Sequence, residues 1–132
     1  MKANELMIGD WVMYQGEPII VYEIDEYYDR INTEPDGYNA ITCVEISEIT
    51  PIPLTAEILV KIGFEAFDYF LKIQINTTYI ELRPIQGNMA IWLDWNEDND
   101  GVYADFILPY PKYLHELQHA LRLAGIDKEI TI

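Results

Sequence analysis

Short runs of β-branched and aromatic residues, broken every few positions by turn formers, occupy the first third of the chain. Leu6-Met7-Ile8-Gly9-Asp10 reads as a turn into the strand Trp11-Val12-Met13-Tyr14, with Gln15-Gly16-Glu17-Pro18 as the next turn. Ile19 to Ile24 has the residues strands prefer, and Tyr27 to Thr33 is a weaker strand. Glu34-Pro35-Asp36-Gly37 has the make-up of a type I turn, with Pro setting φ and Gly free to take positive φ. Tyr38 to Val44 returns as a strand. Short strands closed by tight turns predict a small curled β-sheet or an SH3-like barrel over residues 1–53.

The pattern then changes period. Thr55 is placed to cap a helix, Glu57 lies in its first turn, and Leu54 can staple to Leu59. Gly63 ends this linker helix, and Phe64 can fold back on Leu59 in a Schellman closure. Strands follow at Phe67 to Ile75, Thr78 to Leu82, Met89 to Trp95 and Val102 to Leu108, separated by Asn76-Thr77, Pro84 to Asn88 and Asn96 to Gly101. A second helix starts near Pro111 and stops at Gly125, and Ile130-Thr131-Ile132 reads as a short terminal strand. The expected fold class is α+β: a barrel-like half over 1–53, then a linker helix, an antiparallel β-meander and a packing C-terminal helix over 54–132. The two parts are either separate halves or one compact domain.

Composition narrows the partners. The chain has 132 residues, one domain by size, and half of them are hydrophobic, enough for a sizeable core. Asp and Glu number 23 against 8 Lys and Arg, a net charge of −15. That balance disfavours a phosphate backbone or an anionic membrane as a direct partner, since both need a basic face. It suits a solubility surface, or an acidic face for a basic protein. Met1-Lys2-Ala3-Asn4-Glu5 has no apolar core segment or cleavage site, and no apolar run reaches membrane-spanning length, so a cytoplasmic location is expected. The one cysteine, Cys43, lies in an apolar run and is expected to be a buried, inert thiol.

His115-Glu116-Leu117-Gln118-His119 matches the zinc-peptidase string H-E-x-x-H. On a helix, positions i and i+4 share a face, so two imidazoles can converge on one metal and the Glu can polarise its water. A catalytic zinc also needs a third protein ligand. The extended motif would place Gly at 122 and His at 125, where the chain has Arg122 and Gly125. These are the only two histidines, and of the residues after His119 only Asp127 and Glu129 are carboxylates. At about 100° per residue, Tyr113, Leu114, Leu117, Ala120, Leu121 and Ala124 fall in one arc of about 120°, which predicts the core face. His115, His119 and Arg122 are then expected on an outer polar stripe. His115 and His119 remain weak metal candidates, and no cofactor or catalytic residue is assigned.

Asn96 to Gly101 is similar to the opening of an EF-hand loop, but its twelfth position is Ile107 and not the required Glu, which favours a solvated hairpin connection. There is no glycine-rich phosphate loop, and Ser47 is the only serine. The densest unusual stretch runs from Glu23 to Gly37. Glu23, Asp25, Glu26, Tyr27, Tyr28 and Asp29 read either as a charged edge that blocks sheet-to-sheet pairing or as an acidic, aromatic interaction surface.

Three stretches carry a resemblance: Lys2 to Val12, Ile49-Thr50-Pro51-Ile52-Pro53-Leu54-Thr55-Ala56-Glu57-Ile58-Leu59 through Phe64, and Tyr113 to His119. Together they resemble an uncharacterised family of small bacterial proteins, often carried by prophages and mobile elements. The resemblance implies no activity. It implies a helix signature around His115, Leu117 and Gln118 in place of a metal motif, with His115 and Gln118 hydrogen-bonding the neighbouring half. The expected function is a non-enzymatic protein-binding or accessory protein of a mobile element. The alternatives are an acidic nucleic-acid mimic that inhibits a host protein, and a small zinc-dependent hydrolase acting through His115 to His119.

Overall fold

The computed structural model describes residues 1–34, 43–93 and 104–132. They form an α+β fold with two helices and antiparallel sheets of three, three and five strands. Contacts divide the chain into two units: Met1–Pro53 with Tyr113–His119, and Leu54–Lys112 with Ala120–Ile132. The units differ from the expected halves in one respect. The first turns of the C-terminal helix, which carry the HELQH string, group with the N-terminal strands.

In the first unit β1 (Trp11–Tyr14) pairs with β2 (Glu17–Ile20) across a two-residue turn. Gln15 and Gly16 take φ of 50° and 80°, the doubly positive geometry that suits a tight hairpin. The turn is thus shorter than expected, and Glu17-Pro18 belong to the strand. Pro18 is tolerated because β2 is an edge strand. The expected strand Ile19 to Ile24 is split. Val21 still bonds the residues ahead of β1, with Gly9 N donating to Val21 O and Val21 N donating to Asp10 O, and the chain changes partner at Tyr22, whose N donates to Asn32 O.

The chain resumes as β3 (Glu23–Asp25), paired with β4 (Arg30–Asn32), which pairs in turn with β5 (Cys43–Glu45). β6 (Ile49–Pro51) returns to the other side of β1. The described strands therefore make two three-stranded sheets, ordered β2-β1-β6 and β3-β4-β5, and do not close into a barrel. Leu6, Val12, Val21, Ile31, Val44, Ile46 and Ile49 form their shared core. Cys43 corrects the expected buried thiol: it is exposed, because Val44 takes the inward position of β5. The expected turn at Glu34 to Gly37 and the strand from Tyr38 lie mostly outside the described residues.

The second unit opens on α1 (Ala56–Lys61). Thr55 caps it, its hydroxyl accepting from Ile58 N. Gly63, at φ 114°, and Phe64 close it, with Phe64 N donating to Leu59 O and Gly63 N to Val60 O. These are the two bonds of a Schellman closure. The meander follows as β7 (Glu65–Ala66), β8 (Leu71–Ile75), β9 (Thr78–Arg83), β10 (Asn88–Trp92) and β11 (Phe106–Pro109), each paired with the next. β8 starts later than expected because Phe67 N bonds Phe70 O in a turn, with the two rings stacked. Ile80, Leu82, Met89, Ala90 and Ile91 are fully buried.

α2 (Leu114–Leu123) ends the regular structure, closed by Gly125 at φ 74°. Ile126 and Ile130 are buried, but the expected terminal strand at 130–132 does not form. Among the described residues no helix is long and apolar enough to cross a membrane.

Candidate functional site

The first unit holds two clusters of polar residues, and they differ in what their polar atoms do. One centres on the start of α2. Leu114 N donates to Ile52 O, and Tyr113 bridges Pro53, so the helix start is bonded to the residues just after β6. Glu116 turns back to its own helix start, its Oε2 lying 3.4 Å from Tyr113 N. Leu114 and Leu117 are fully buried.

His115 and Gln118 are also buried, each only 6% exposed, and the burial of His115 corrects its expected place on the outer polar stripe. Gln118 spans the loop before β1: Trp11 N donates to its Oε1, and its Nε2 donates to Gly9 O, both at 2.9 Å. One residue further on, His119 Nε2 lies 2.7 Å from Asp10 Oδ2, and that same oxygen accepts from Met7 N at 2.7 Å. Asp10 is fully buried. A helical wheel scores glutamine and histidine as solvent-facing. It cannot register that a polar side chain can be buried against backbone groups needing partners.

The His115 ring stacks on Tyr113 at 5.9 Å and meets the His119 ring edge-on at 5.5 Å. Burial lowers its pKa, opposed by the Asp10 carboxylate and helped by His119. Its Nδ1 is buried without a hydrogen-bond partner, so of the two residues implied as hydrogen-bonding, Gln118 alone bonds through both polar atoms of its amide.

His119 Nε2 is engaged by Asp10 and Glu116 faces its own helix start. Among the described residues no three His, Cys, Asp or Glu side chains stand where they could hold a metal. The cluster ties a helix to a loop. Sequence reasoning missed Asp10, whose one visible signal was its place beside Gly9 in a turn. The EF-hand-like loop at Asn96 to Gly101 lies outside the described residues.

The second cluster is the β3–β4 hairpin. Glu23 and Asp25 stand on β3, an edge strand, while Glu26, Tyr27, Tyr28 and Asp29 form the turn into β4. All six are exposed, Tyr27 at 86% and Tyr28 at 62%. The turn is nonetheless fixed. Asp25 Oδ1 accepts from both Tyr27 N and Tyr28 N at 3.1 Å, and Asp29, at φ 51°, passes its carbonyl to Ile46 N. The two tyrosine rings meet edge to face at 4.7 Å, and the Arg30 guanidinium lies 5.7 Å from the Tyr28 ring centre. Chemically, this is an ordered aromatic pair set among carboxylates. Comparison of the chain with models of known families, with curated proteins and with solved structures found no match.

Proposed function

We propose that the chain is a non-enzymatic protein-binding accessory protein, and that it meets a basic partner protein through Asp25 to Asp29. The observation that carries this reading is the exposed Tyr27–Tyr28 pair, held in place by backbone bonds to the Asp25 carboxylate. Tyrosine gives large contact area at small entropic cost, and a turn already fixed lowers that cost further. The net charge of −15 adds attraction to a basic surface. The three stretches that resemble mobile-element proteins favour an accessory role, and the cytoplasm is the proposed setting.

The test is capture from a bacterial lysate at low and high salt, run beside a Tyr27→Ser/Tyr28→Ser double variant. A protein retained by the parent chain, released by salt and lost with the double variant supports the reading. A partner retained equally by both chains removes this surface from consideration. If the captured partner is a nucleic-acid enzyme displaced by nucleic acid, the acidic-mimic reading takes its place.

A further inference from the structure

Tyr28 and Glu26 stand between two concavities of the first unit and line both of them. One, of about 770 Å³, has an aliphatic wall of Ile8, Ile24 and Ile31 beside Glu23 and Asp25. The other, of about 660 Å³, has Ile46 and Ala3 beside Asp29 and Glu45. Both volumes fall in the range of about 300–1,000 Å³ that ligand sites occupy. Five carboxylates line the pair (Glu23, Asp25, Glu26, Asp29 and Glu45), against two cationic side chains, Lys2 and Arg30.

Resting on the protein-binding reading above, we infer that the partner segment is a basic peptide in which arginines alternate with apolar residues, laid across Tyr28 with one side chain in each concavity. The aliphatic wall suits the methylene stem of a long basic side chain, while its charged head reaches the carboxylates. The Tyr28 ring already serves as a cation platform, since the Arg30 guanidinium lies over it. Arginine fits better than lysine because its planar head can stack on a tyrosine and bond a carboxylate with two parallel N–H groups. The Arg30–Glu45 pair, at 3.9 Å between two half-exposed groups, is loose enough for a second guanidinium to compete for Glu45.

The experiment is fluorescence anisotropy with a labelled peptide of alternating arginine and leucine, and with its glutamate-for-arginine counterpart. An acidic protein attracts any polycation, so the control must share the charge change. Glu26→Lys, between the concavities, is compared with Asp68→Lys, an exposed position of the second unit. Tyr28→Ala removes the platform. The expected result is binding of the arginine peptide alone, weakened about tenfold by Glu26→Lys and by Tyr28→Ala, and changed less than about twofold by Asp68→Lys. Equal loss with Glu26→Lys and Asp68→Lys, or no binding by the parent chain, overturns the inference. If the double tyrosine variant still loses its lysate partner in that case, the protein-binding reading stands and only the peptide class fails. If it does not, both fail.

Discussion

Asp10 and Asp25 are the same side chain in similar local settings, each with a carboxylate oxygen that accepts from backbone amides two or three residues away. Their surroundings separate them. Asp10 is fully buried, and its oxygen also meets His119, 109 residues further on. Asp25 is exposed, and the turn it orders presents Tyr27 and Tyr28 outward. The first carboxylate is used up in holding a loop to a helix. The second fixes a turn and leaves the side chains of that turn free for something else. Polar chemistry closed on itself stabilises a fold, whereas polar chemistry that orders an open surface is available for recognition.

That contrast predicts a ranking of stability effects. Asp10→Ala should cost most, about 3 kcal/mol, because it removes a fully buried carboxylate that holds both the part-buried Met7 amide and a half-buried imidazole. Gln118→Ala should cost about 2 kcal/mol by withdrawing both bonds to the loop before β1. Urea unfolding followed by tryptophan fluorescence measures both. A loss under about 1 kcal/mol for Asp10→Ala would place the buried cluster on the same footing as the open turn and dissolve the comparison.

His115 adds a pH dependence of defined sign. Burial lowers its folded pKa below the ordinary value of 6.5, so the unfolded chain takes up the proton first as pH falls. Its contribution to stability is therefore complete above 6.5 and declines as pH drops from there toward the lowered value. Unfolding midpoints at pH 7.5 and 5.5 should differ more for the parent chain than for His115→Leu. An identical slope in the two chains would mean that the buried imidazole is protonated at no cost.

The elements whose cause is local could be read from the sequence. Thr55, Gly63 and Phe64 form the cap and closure their order predicts, and the strands from Leu71 to Trp92 fall between the turns that the sequence marks. Where a distant segment decides, the sequence was silent or misleading. The expected strand Ile19 to Ile24 is split because its pairing passes from the β1 side to Asn32 at Tyr22. Gln118 is buried because its amide bonds a loop more than a hundred residues away, and His115 is buried beside it although both are polar. The acidic hairpin was legible as a cluster of unusual residues, but the Asp25 bonds that make it an ordered surface were not.

The smallest expected effect is the most informative about that surface. Tyr27 is 86% exposed, and its ring touches Tyr28 edge to face. Its backbone N–H, which Asp25 holds, survives any substitution except proline. Tyr27→Ser should therefore shift unfolding by no more than about 0.5 kcal/mol, the span of ordinary surface changes. A shift that small would leave the exposed ring available for the proposed contact with a partner. If Tyr27→Ser instead destabilised the protein by about 2 kcal/mol, the ring would be part of the folding core of the hairpin. The open cluster would then be, like the closed one, a device for holding the fold together.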